Sequence, residues 1–292
     1  MIYIIENDKL KVKISSMGAE LQSIRRVEDN TEYLWQGDPT YWAGRAANLF
    51  PICGRLFEGK YTYQGKTYEM QLHGFARHQE WEVVRQDTAA ITLRLVENEE
   101  TLGVYPFRFA LDIAYTLSGE ELSIAIIVHN MDDKTMRFAI GGHPGFNLPL
   151  EADKTFEDYY VEFDEPCEAK RITFSDTCFY TEGADPFELE DGKILHMSHD
   201  LFDRDAIFLC DTARGITLKC IDGKRSVHMA FPDLPYIGLW HKPHSDAPYV
   251  CIEPWNGLPS VDGKIDDLET KSPMQELEPQ GVYRNVYSIT FG

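Results

Sequence analysis

Apolar and polar residues alternate with a period of two along most of the chain, the mark of strands that bury one face. The pattern predicts short strands over residues 1–5 and 10–15 joined by a turn at Asn7-Asp8, and a third over 18–24. A hairpin over 61–63 and 66–70 folds around Gln64-Gly65. Alternating runs at 81–85, 90–95, 107–117 and 122–130, with a turn at 118–121, read as an antiparallel meander. Further strands are expected over 159–163, 215–220, 226–231 and 236–241, with a polar connection at 182–186 and only one or two short helices. The expected class is all-β and antiparallel, with residues 1–292 as a single domain. There is no dinucleotide-binding glycine fingerprint, phosphate loop, heptad pattern or solenoid repeat.

Composition narrows the partners. With 43% hydrophobic residues, including 16 Phe, 15 Tyr and 5 Trp, the chain can fill a large core. Its formal net charge of -20 repels nucleic acid and anionic lipid at long range, so neither is an expected partner. No segment approaches the roughly 18 apolar residues of a membrane helix. Residues 1–8 lack the basic start and apolar stretch of a secretory signal, which predicts a cytoplasmic protein. Cys53, Cys167, Cys178, Cys210, Cys220 and Cys251 form no Cys-x-x-Cys pair; reduced, mostly buried thiols fit better than disulfides or a zinc site.

Chemistry concentrates in a few places. Residues 140–149 pack three glycines and two prolines around His143, a locally irregular backbone that aims one imidazole. A lone histidine in such a turn would more simply cap a carbonyl. His73, next to Gly74 just past a strand end, is a second acid-base candidate, whereas His78 reads as a surface residue and His129 as structural. Arg45 and Arg55 sit among apolar residues, so each needs a carboxylate or ligand oxygens as partner. Asp205 stands where a strand begins, a usual place for a cap or turn. Glu253 closes a run of β-prone residues immediately before Pro254, where a charge needs a partner or a task. Half of a core salt bridge with Arg55 is the structural alternative.

Gly54-Arg55, His73-Gly74, Gly142-His143-Pro144 with Phe146 beyond, Asp205-Ala206-Ile207-Phe208 and Ile252-Glu253-Pro254-Trp255 follow one another in an order and spacing that resembles the aldose 1-epimerases, the galactose mutarotase-like proteins, and within them the LacX-like branch. The similarity runs through Leu277-Glu278-Pro279-Gln280-Gly281. It implies a large antiparallel β-supersandwich with a sugar cleft on its concave face. It also implies that Glu253 is the base removing the anomeric hydroxyl proton, His143 the acid protonating the ring oxygen, and His73 a second histidine near that oxygen. Arg55 and Asp205 would hold sugar hydroxyls. Phe75-Ala76-Arg77 after His73-Gly74 is this chain's own choice and leaves sugar preference open.

A carboxylate and an imidazolium supply the two proton transfers of hemiacetal opening, each worth about 10²- to 10⁴-fold, with no metal or organic cofactor required. Negative charge from Glu253 would favour the acid form of His143. Trp240, Trp255 and Phe146 are candidates to stack on a pyranose. Three alternatives stay open. One is an epimerase of a hexose 6-phosphate with Arg45, Arg55 and Arg77 as the phosphate cluster. Another is a metal enzyme using His73, His143 and Glu253. The third is a sugar-binding module without chemistry. The oligomeric state is open.

Overall fold

In the computed structural model, which describes residues 1–292, two large sheets carry the fold. The nine-stranded sheet is built around Phe109–Ser118, Glu121–Asn130 and Val282–Phe291. The seven-stranded sheet runs, edge to edge, through Tyr180–Pro186, Lys170–Phe174, Ile207–Cys210, Tyr236–Trp240, Tyr249–Trp255, Gly141–Asn147 and Ala46–Leu49. All its pairings are antiparallel. Smaller sheets are formed by the three N-terminal strands and by the predicted hairpin Lys60–Tyr63 and Lys66–Glu69. The one α-helix is Glu99–Val104, capped by Asn98. No helix is long and apolar enough to cross a membrane.

Alternation along the seven-stranded sheet sorts its side chains onto two faces. Ile207, Leu209, Ile237, Leu239, Val250, Ile252 and Phe146 enter the main core, shared with Ile216, Met229 and Ile289 of the nine-stranded sheet. The residues between them point the other way: Phe208, Gly238, Cys251, Glu253 and His143. Burying a strand on both faces explains why Tyr249–Trp255 is inaccessible along its whole length.

Three expectations are corrected here. Residues 182–186 belong to an edge strand, Tyr180–Pro186, which pairs with Lys170–Phe174 and, at its first residue, bridges to Val261; an edge strand with one exposed face tolerates polar residues and a terminal proline. The glycine-rich stretch around His143 is a central strand, not an irregular turn. Its glycines make room: a Cβ on Gly141 would lie 2.4 Å from the Trp255 ring, and one on Gly142 would lie 2.4 Å from the Tyr287 hydroxyl. Phe146 is fully buried in the core and cannot stack on a ligand.

Candidate functional site

The outward face of the seven-stranded sheet carries a row of side chains fixed by register. Phe208 pairs with Gly238 and Gly238 with Glu253. His143 pairs with Ala47, and the pairs Gly141–Trp255 and Gly145–Cys251 bracket His143 opposite Glu253. Five adjacent strands therefore contribute Phe208, Gly238, Glu253, His143 and Ala47 in one line on one face. Residues more than a hundred positions apart meet because the strands 141–147 and 249–255 are neighbours.

A cavity of about 310 Å³ opens over this row. Its walls include His73, His143, Glu253, Arg55, Arg77, Asp205, Trp240 and Trp255 of the residues singled out from the sequence, but not Arg45 or Phe146. Nε2 of His143 lies 3.3 Å from Oε2 of Glu253, with the carboxylate 2% exposed. The Trp42 ring stacks on His143, centroids 4.9 Å apart and planes 25° apart, while His73 and Trp240 meet it edge-on. Burial lowers His143 to a pKa of about 3, helped by the nearby Arg77, and pushes the Glu253 carboxyl well up, with Asp205 adding to the rise. In the sugar-free protein burial works against the expected attraction, because loss of solvation disfavours the charged form of both His143 and Glu253.

His73 is locked by its backbone. It sits at φ +65°, its N–H donates to the Gly54 carbonyl at 2.8 Å, and the Gly54 N–H donates back to Nδ1 at 3.1 Å. Nδ1 is thus an acceptor, and the neutral ring carries its proton on Nε2. Burial lowers its pKa well below the usual histidine range, and His143, Arg77 and Arg55 add to the effect. Gly74 follows at φ +74° with the Phe50 carbonyl oxygen 2.1 Å from where a Cβ would be, a place only glycine can fill.

Asp205, at φ +69°, accepts from Trp240 Nε1 at 2.7 Å and from Cys178 Sγ at 2.8 Å. The residue before that cysteine, Thr177, offers its carbonyl to Arg55 Nη1 at 3.0 Å. Arg55 therefore does not pair with Glu253. Arg45 lies outside the cavity, bonded to the Gln22 side chain and to the Gln36 carbonyl at 2.8 Å, so its partners are neutral oxygens rather than a carboxylate or ligand. Arg204, Trp42 and Cys178 line the cavity and were not singled out from the sequence. Only Trp42 left a trace, in the aromatic run Tyr41-Trp42 beside Gly44, whose Cβ position the indole occupies.

The family model for aldose 1-epimerase matches residues 1–264. The LacX protein of Lactococcus lactis is 33% identical over 98% of each chain. This chain belongs to the aldose 1-epimerase family. Among solved structures, a galactose mutarotase related enzyme from Lactobacillus acidophilus superposes with a TM-score of 0.94 at 37% identity, covering 100% of this chain and 97% of its own. A galactose mutarotase-like protein from Lactobacillus casei gives 0.94 at 33% identity, with 100% of both chains covered. The fold is thus the antiparallel, galactose mutarotase-like one of this aldose 1-epimerase family.

Proposed function

We propose that this chain, acting as one domain, interconverts the α- and β-anomers of a hexose by general acid-base opening and closing of the ring, with Glu253 and His143 as the proton-transfer pair. The observation that carries the reading is the 3.3 Å contact between His143 Nε2 and Glu253 Oε2 on the wall of a pyranose-sized cavity. A carboxylic acid beside a neutral imidazole holds the same number of protons as a carboxylate beside an imidazolium, so moving one proton interconverts the two forms. Burial favours the neutral form. A sugar donating its O1–H to Glu253 solvates the carboxylate and draws the ionic form back, leaving the proton on His143 for the ring oxygen. Once the ring opens, rotation about the bond between C1 and C2 exposes the other aldehyde face, and the reverse transfers close it.

In this reading the remaining groups bind and orient. His73 donates from Nε2 to a sugar oxygen as a neutral group. Asp205, held by Trp240 and Cys178, accepts from hydroxyls, and Arg55 donates to them. Trp42 walls one side of His143 and keeps water from its ring. None of these steps draws on a metal or organic cofactor.

A second reading has its own observation. Arg55, Arg77 and Arg204 line the cavity, none is within ion-pair distance of a carboxylate, and Nε of Arg77 is buried without a hydrogen-bond partner. Unpaired guanidinium groups suit a sugar bearing a phosphate, with Arg204 in the place expected of Arg45. Polarimetry on freshly dissolved α-anomers of glucose, galactose and their 6-phosphates tests both readings. The first expects accelerated decay for the free sugars; the second expects it mainly for the phosphates. Glu253→Gln is expected to slow turnover by at least about a hundredfold while sugar still binds. Unchanged turnover in that variant would remove Glu253 from the proton transfer, and sugar binding with no accelerated decay in the wild type would leave a binding module instead.

A further inference from the structure

The metal-ligating side chains that the fold brings closest together are not the two histidines and carboxylate weighed as an alternative from the sequence. His143, Cys251 and Glu253 each present a donor atom within 4.8 Å of the others, and all three are buried. The reason is the register: Cys251 and Glu253 are two apart on one strand and so share a face, and His143 lies opposite Glu253 on the neighbouring strand.

From this cluster we propose that the chain binds a zinc-type divalent cation between His143, Cys251 and Glu253, and that the cation shuts the catalytic pair down. Imidazole, thiolate and carboxylate are the three ligand types zinc takes, with bonds of about 2.0–2.3 Å. Tetrahedral geometry at those lengths separates nitrogen from oxygen by about 3.3 Å and either from sulfur by about 3.5 Å. The His143–Glu253 contact is already 3.3 Å, so one edge of the tetrahedron stands formed, and the thiol, within 4.8 Å of both, must close in by no more than about 1.3 Å. A thiolate and a carboxylate neutralise the two charges of the cation, so the complex adds no net charge to a buried place. His143 and Glu253 face the cavity while Cys251 lies beneath it among Trp35, Ala247 and Tyr249, which leaves the fourth position open toward the sugar. A cation there occupies the atoms that exchange protons with the substrate.

The inhibition part rests on the proposed acid-base function; the binding part does not. Cobalt(II) added to the metal-free protein is expected to give a thiolate-to-cobalt charge-transfer band that Cys251→Ala abolishes, whether or not the protein is an epimerase. Zinc is expected to slow anomer exchange reversibly, with EDTA restoring the rate and sugar protecting. Cys251→Ala should keep its metal-free rate and need at least about tenfold more zinc for the same inhibition. Cobalt spectra without a thiolate band overturn the site. If the band appears and zinc leaves the rate of an active protein unchanged, the inhibition is overturned; if the wild type exchanges no anomers at all, the acid-base reading fails while the metal site stands.

Discussion

Cys178 donates through Sγ to Oδ2 of Asp205 at 2.8 Å, and its neighbour Thr177 accepts from Arg55 at 3.0 Å. One turn after the strand Lys170–Phe174 thus anchors both a carboxylate and a guanidinium of the cavity wall. Burial and Asp205 push the thiol up to about 11, so near neutral pH it stays a donor.

A hydroxyl can replace that thiol as donor and a methyl cannot. Cys178→Ala is expected to raise KM about two- to tenfold with kcat little changed, the loss of one net hydrogen bond in a binding rather than a transition-state role. Cys178→Ser restores KM. Steady-state polarimetry at several sugar concentrations checks this; a fall in kcat with KM unchanged would place Asp205 in the chemistry instead.

The Gly54–His73 exchange of hydrogen bonds fixes a tautomer that can be observed. Nitrogen-15 NMR of histidine-labelled protein is expected to show Nε2 protonated and Nδ1 bare, unchanged from pH 8 to pH 5, because the folded pKa lies well below the usual range. His73→Ala should lower kcat/KM about threefold to tenfold, the worth of one neutral donor. A loss above about a hundredfold would mean that His73 moves a proton.

The acid-base pair makes stability depend on pH in a stated direction. Glu253 has a raised folded pKa, so the native state holds its proton more tightly than the unfolded chain. Its contribution is full below the unfolded value of 4.5 and is lost as pH rises toward the folded one. Glu253→Gln escapes that loss. The melting temperature of Glu253→Gln minus that of the wild type is therefore expected to be larger at pH 9 than at pH 5. A difference that stays flat or shrinks as pH rises would show that the carboxyl is not held protonated.

The sequence carried the strands because each buries one face of an alternating run, and it carried His143, Glu253 and His73 because their settings beside glycine or proline are unusual. What it did not carry is set by partners distant along the chain. Alternation assigned the residues around His143 a local irregularity, since three glycines look like a turn until the rings of Trp42 and Trp255 and the Tyr287 hydroxyl are seen filling their Cβ positions. The ionisation of the pair depends on how completely the sheet and Trp42 exclude water, which no local pattern records. Arg204 and Arg45 exchanged places for a similar reason: Arg45 stands among small residues and Arg204 between two aspartates, so local sequence favours the wrong one, and only the path of the loops decides which borders the cavity.

The cavity wall also rests on a buried ion pair remote from the chemistry. Lys271 Nζ lies 3.0 Å from Asp266 Oδ2 and donates to the Pro259 carbonyl at 3.1 Å, with both side chains under 5% exposed. Pro259 in turn packs over Gly54, which holds His73: a Cβ on Gly54 would come within 2.5 Å of the proline ring. Lys271→Met leaves Asp266 buried without a partner and is expected to cost about 3–5 kcal/mol. Replacing both, as Lys271→Met with Asp266→Leu, removes the stranded charge and is expected to recover at least half of that stability. The Pro259 carbonyl remains unsatisfied in both variants, so the double mutant should regain its unfolding midpoint in urea without regaining full kcat/KM. If the double mutant recovers both, the lysine only balances charge; if it recovers neither, the hydrogen bond to Pro259 carries the stability as well.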